Sequence, residues 1–114
     1  MKIEHYEFGK ITIEGKTYSS DIIVFPDRVI PDWWRKEGHQ LCIEDISEVI
    51  KYSPEIIVVG TGAYGVLVVL EETKKFLEQK NIKLIICSTK DAVKKFNELI
   101  SQNKKTVGCF HLTC

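Results

Sequence analysis

A chain of 114 residues, 44% hydrophobic and 28% charged, has the make-up of a single compact domain spanning residues 1–114, because neither half alone could build a core. Sixteen basic side chains balance sixteen acidic ones, which leaves no global field to draw in nucleic acid or an anionic membrane, and neither is expected as a partner. No apolar run reaches the ~18 residues that span a bilayer, and the opening MKIEHYEFGK alternates instead of forming a hydrophobic block, so a cytoplasmic location is expected.

In chain order, IEHYEFGKITIEGKTYSSDIIVF holds short runs punctuated by Gly9, Gly15 and Ser19-Ser20-Asp21, the pattern of antiparallel strands with tight connections. Ile22 to Phe25 is continuously apolar, as in a strand covered on both faces. Pro26 and Pro31 interrupt it, and the aromatic stretch DRVIPDWWRKEGH fits neither a helix nor a strand. Ile43, Ile46, Val49 and Ile50 then recur at helical spacing, with Glu44 and Asp45 near the start and Pro54 as the stop. EIIVVG follows as a buried strand, LEETKKFLEQK as a helix burying Leu70, Thr73, Phe76 and Leu77, and IKLIIC as the next buried strand. Ser88 and Asp91 have the spacing of a capping box for the last helix, whose apolar stripe is Ala92, Val93, Phe96, Leu99 and Ile100, and TVGCFHLT closes the chain as a strand. Alternation of strand and helix from residue 55 onward implies parallel pairing, so the fold class is α/β: one three-layer domain with a mixed, largely parallel central sheet, helices on its faces and an N-terminal antiparallel segment.

Gly60, Gly62 and Gly65 spell G-x-G-x-x-G directly after a strand. A dinucleotide site needs the third glycine to open a helix and an acidic residue at the end of the second strand. Here Gly65 is followed by VLVV, helix signals begin only at Glu71, and the second strand ends in Cys87-Ser88-Thr89. The glycines are better read as positions of positive φ or close backbone approach, and their loop could still bind a small anion through free amides.

Cys42, Cys87, Cys109 and Cys114 contain no C-x-x-C pair and are expected as reduced thiols; no metal or cofactor is expected. Cys109, His111 and Thr113 share one face of the last strand, where a nucleophile and base pair is weighed against a packed, hydrogen-bonded histidine. Trp33, Trp34, Arg35 and His39 combine the residue types of interface hot spots, with one tryptophan buried and the other partly exposed. Arg28 and Arg35 are the only arginines against 14 lysines, and each is a candidate for an anion contact or a buried pair.

WWRKEGH, GTG after an apolar strand, LEETKKFLEQKNIKL, AVKKFNEL and the ending FHLTC together resemble the small family that includes the adipogenesis-associated Mth-type domain protein and the mitochondrial complex I assembly factor 3. The resemblance spans almost the whole chain and implies an assembly or regulatory factor with no defined reaction. By position it marks Trp34, Arg35, His39, Gly60, Gly62, Asn97, His111, Thr113 and Cys114. The expectation is therefore a non-catalytic binding or assembly module, with a protein partner or a homo-oligomeric contact. The alternative is an anion-binding protein or small enzyme with its site at the Gly60–Gly65 loop. The binding candidates are Arg28, Trp34, Arg35, His39, Gly60, Thr61, Gly62, Tyr64 and His111, and no catalytic residue is assigned.

Overall fold

The computed structural model describes residues 1–114. Three short strands, β1 (Ile3–Glu7), β2 (Lys10–Ile13) and β3 (Lys16–Tyr18), pair in sequence as an antiparallel sheet of their own instead of joining the central one. Both residues of the β2–β3 connection, Glu14 and Gly15, have positive φ (49° and 79°), the geometry whose twist suits a two-residue hairpin.

The chain then enters β4 (Ile22–Val24), turns through Pro26-Asp27-Arg28 into β5 (Val29–Ile30), and reaches β6 (Gln40–Leu41). The segment between them, which the sequence leaves unassigned, is thus tied down by two very short strands. The helix expected from residue 43 starts as a 3-10 turn, Ile43–Ile46, and becomes α1 only over Ser47–Tyr52. Ser53, at φ 55°, ends it in the left-handed region just before Pro54. Then come β7 (Ile56–Gly60), β8 (Val68–Val69), α2 (Glu71–Gln79), β9 (Lys83–Cys87), α3 (Thr89–Ser101) and β10 (Thr106–Phe110).

The central sheet has the order β5-β4-β10-β7-β9. Strands β10, β7 and β9 pair parallel, while β4 pairs antiparallel with both β10 and β5, so two of the pairings are parallel, two are antiparallel and the sheet is mixed. The cause is local: a tight turn can join only antiparallel neighbours, whereas a parallel neighbour needs a crossover. The last strand, β10, sits in the middle, between β4 and β7.

Side chains alternate across this sheet and feed two cores. Ile23, Ile57, Val59, Val107 and Cys109 pack with Trp33, Leu41, Ile46, Val49 and Leu77. Ile22, Val24, Ile56, Val58 and Phe110 pack with Ile3, Ile11 and Ile13 of the N-terminal sheet and with Ala92, Val93 and Phe96 of α3. Asn97 on α3 pins β1 by accepting from the Ile3 N–H (2.9 Å) and donating to the Ile3 carbonyl (2.8 Å).

Two expectations fail in detail. IKLIIC is not a buried strand: β9 forms the rim of the sheet and leaves Ile86 40% exposed. The capping box at α3 is not made either, because the Ser88 hydroxyl turns to the Asp91 carboxylate (3.4 Å) and neither side chain caps a backbone amide.

Candidate functional site

The pairing register brings four segments to one end of the central sheet. Phe110 lies opposite Gly60 on one side and Ile22 on the other, and Gly60 lies opposite Cys87. The residues that leave those strands, Asp21, the loop after Gly60 and the run from His111 to Cys114, therefore meet. Trp33 attaches the aromatic segment to them by donating its N–H to the Asp21 carbonyl (2.8 Å).

At the centre is Asp21, a residue the sequence offers only as part of a turn. Its Oδ2 accepts from Arg35 Nη2 (2.8 Å) and from His111 Nδ1 (2.7 Å), and its Oδ1 accepts from the Leu112 N–H (2.8 Å). Burial pushes the Asp21 carboxyl up, but the hydrogen bonds from His111, the Leu112 amide and Arg35 together outweigh it and hold the group below the usual carboxylate range. Arg35 is committed further: Nε and Nη2 both donate to the Gly38 carbonyl (3.2 and 2.8 Å), and the guanidinium lies 4.6 Å over the Trp33 ring. Trp33 Nε1 donates to the Asp45 carbonyl (2.8 Å). Only 5% of the Arg35 side chain and 6% of the His111 side chain are exposed, so this is an interior ion cluster that staples three distant segments. Arg35 Nη1 and His111 Nε2 are buried without a hydrogen-bond partner in the protein.

An aspartate orienting a histidine, here Asp21 Oδ2 at 2.7 Å from His111 Nδ1, is half of a nucleophilic triad. The other half is missing, since no hydroxyl or thiol pairs with Nε2. Cys109, the candidate on the same strand face, is fully buried, and burial pushes its thiol up to about 12, leaving it a packing residue. No three His, Cys, Asp or Glu side chains converge as metal ligands would.

The glycine loop is closed by the chain itself. Gly62 N–H donates to Thr89 Oγ1 (2.8 Å), Ala63 N–H to the Thr113 carbonyl (2.6 Å), and the Tyr64 and Val66 amides both donate to the Cys114 main-chain oxygen (3.1 Å each). Thr89 Oγ1 in turn donates to the His111 carbonyl (2.6 Å). A Cβ on Gly62, whose φ is +104°, would lie 2.3 Å from the Cys114 carbonyl carbon and 2.8 Å from the His111 ring. Gly60 is confined less tightly, its virtual Cβ lying 2.9 Å from Thr89 Oγ1. Buried Thr61 donates its hydroxyl to the Cys87 carbonyl (3.1 Å). The amides an anion would need at Gly62, Ala63, Tyr64 and Val66 are thus engaged within the chain.

What remains open is the rim. Trp34 is 84% exposed and Tyr64 79% exposed, the latter with its ring 6.2 Å from that of Phe8. His39 is exposed, and its ring stands edge-on to His111 at 5.7 Å. Arg28 stays apart, with its guanidinium 4.3 Å over Phe25 beside the β4–β5 turn. A cavity of about 290 Å³ opens next to Trp34, lined by Ser19, Ser20, Asp21, Asp32, Trp33 and Arg35 among others.

Residues 3–111 match the family described as protein of unknown function (DUF498/DUF598), and the chain belongs to that family. Over their full lengths, this chain and the conserved hypothetical protein PH1505 from Pyrococcus horikoshii are 33% identical, with a TM-score of 0.84. An outer membrane protein from Bartonella henselae shares 26% identity over 98% of this chain and 94% of its own, also at a TM-score of 0.84. A Mth938-like domain protein from Bordetella pertussis is 15% identical over 97% of this chain and 85% of its own, and its TM-score of 0.62 speaks to the fold alone. No helix of the chain is long and apolar enough to cross a membrane.

Proposed function

We propose that this chain is a non-catalytic binding or assembly module that recognises a protein partner through the exposed Trp34. The observation that carries the reading is the presentation of Trp34: 84% exposed, it stands between Trp33, 6% exposed, and an Arg35 side chain that is 5% exposed. Both neighbours are fixed by hydrogen bonds, so the indole projects from a rigid base and loses little freedom on binding. The resemblance to the adipogenesis-associated and complex I assembly proteins supports the same class of role. We take the two cores as the seams of three layers, with the site at one end of the middle layer, and a cytoplasmic setting accords with the balanced charge.

The test is affinity capture from an extract of the source cells with the wild type, Trp34→Ala and an Arg28→Ala control. A partner retained by the wild type and the control and lost with Trp34→Ala, at an unchanged thermal midpoint, supports the reading. Identical captures by all three overturn it.

A second reading has one specific observation behind it: the 290 Å³ cavity lies directly beside Trp34 and Arg35. A small ligand there would replace the anion site expected at the glycine loop. A thermal-shift screen detects it, because a ligand at ~100 times its dissociation constant adds about 2.7 kcal/mol.

A further inference from the structure

The two rims of the central sheet differ. The β5 rim is two residues long, too short to recruit a neighbour, whereas β9 offers five residues, Lys-Leu-Ile-Ile-Cys, with no proline and one charge. Within β9 the free backbone groups can be identified. Lys83 N–H donates to the Glu55 carbonyl (3.0 Å) and the Cys87 carbonyl accepts from Thr61 N–H (2.9 Å), so residues 83, 85 and 87 turn their polar groups toward β7. Alternation then turns the N–H and C=O of Leu84 and Ile86 outward, away from the sheet. Beside them runs an open groove of about 600 Å³, lined by Lys74, Glu78 and Asn81 together with Ile82, Leu84 and Ile86.

We infer that this edge is the interface between two copies of the chain, paired antiparallel through β9 about a two-fold axis at Ile85. That register is the self-complementary one. It sets Leu84 opposite Ile86 of the second copy as hydrogen-bonded pairs on both sides of the axis, so every outward N–H and C=O of the two residues is satisfied. Ile85 meets its own copy at the axis. Leu84 and the 40%-exposed Ile86 lie side by side across the seam, where apolar cross-strand pairs form. Charge does not oppose the pairing: Lys83, the only charge on the strand, faces the uncharged Cys87 side chain of the second copy. Like charges are not opposed anywhere along the strand. The two five-stranded sheets become one continuous sheet, and the Trp34 rims stay free for other partners.

The experiment combines sedimentation equilibrium with a designed cross-link. At micromolar concentrations the wild type is expected at twice its 13.1 kDa chain mass. Ile86→Lys places two like charges near the axis and raises the dissociation constant about tenfold or more, with an unchanged circular dichroism spectrum. In a Cys114→Ser background, Lys83→Cys lies opposite the native Cys87 of the second copy at a Cα separation of ~4.5 Å, within disulfide range. Mild oxidation should yield a covalent dimer that maps to positions 83 and 87. A wild type that stays monomeric overturns the inference, as does a dimer indifferent to Ile86→Lys or one whose disulfide maps elsewhere. A monomer that instead binds an extended peptide along β9 also refutes it.

Discussion

Trp34 and Arg35 are neighbours in sequence, yet truncating them should have opposite consequences. Arg35→Ala leaves the Asp21 carboxylate in the interior without its 2.8 Å guanidinium partner and frees the Gly38 carbonyl of two donors. Removing one member of a buried pair typically costs about 3–5 kcal/mol, and the lower end applies here because His111 and the Leu112 amide still hold Asp21. With an unfolding entropy of ~2.1 cal/mol/K per residue, this chain loses about 0.24 kcal/mol per kelvin at its midpoint, so ~3 kcal/mol lowers Tm by about 12 °C. Trp34→Ala removes a side chain already in water, and its effect should stay within ~0.5 kcal/mol, or about 2 °C. Thermal and urea unfolding followed by far-UV circular dichroism measures both without relying on tryptophan fluorescence. An Arg35→Ala midpoint within a few degrees of the wild type, or a Trp34→Ala loss as large as that of Arg35→Ala, refutes the division of labour between anchor and contact.

Three further outcomes follow from the same network. Gly62→Ala combines a forbidden φ of +104° with a clash against the Cys114 backbone, so residues 111–114 should detach, with stability falling by ~2 kcal/mol or more in urea unfolding. Asp21 is held below its ordinary value in the fold, so the unfolded chain takes up its proton first; the stability it contributes is full above ~4 and is lost as pH falls through the native value. Asp21→Asn should therefore flatten the acid limb of the stability curve, which urea titrations across that range will measure. Of the four thiols, exposed Cys114 should react first with a disulfide reagent, Cys42 and Cys87 slowly because burial raises both, and Cys109 only on unfolding; early labelling of Cys109 would contradict its packing.

Much of the architecture is legible in the pattern of apolar residues. IIVVG and TVGCF are almost wholly apolar, Thr106 apart, because both strands are covered on two faces, and every residue of each is buried. The LIIC of β9 reads the same way but lies at the rim, since strand order is decided by pairing and not by local composition. The division of the N-terminal strands between two sheets is hidden for the same reason. In the candidate site, Trp34, Arg35, His39 and His111 stand out by residue type. Asp21 does not, because an aspartate after two serines is the ordinary signature of a turn. The signal available was its place immediately before a fully apolar strand, at the sheet end where the arginine and histidine candidates also emerge. Arg28 shows the limit of scarcity as evidence: one of two arginines, it covers a phenylalanine and takes no part in the cluster.

The G-x-G-x-x-G spacing is informative once its physical demand is separated from its usual occupant. Such loops need glycine where a backbone must approach another group too closely for a Cβ, and that group is commonly a pyrophosphate. Here the approaching group is the chain's own backbone at Cys114, which takes the amides of Tyr64 and Val66 as a phosphate oxygen would. The third glycine confirms the difference: at Gly65 the nearest neighbour to a virtual Cβ is 3.7 Å away, so it is kept for its φ of +70° and not for proximity. The loop therefore secures residues 111–114, these position His111, and His111 with Asp21 and Arg35 fixes the base on which Trp34 stands. On the proposed function, a motif associated with ligand binding holds the base of the contact surface, and perturbing Gly62 should weaken recognition at Trp34 without touching it.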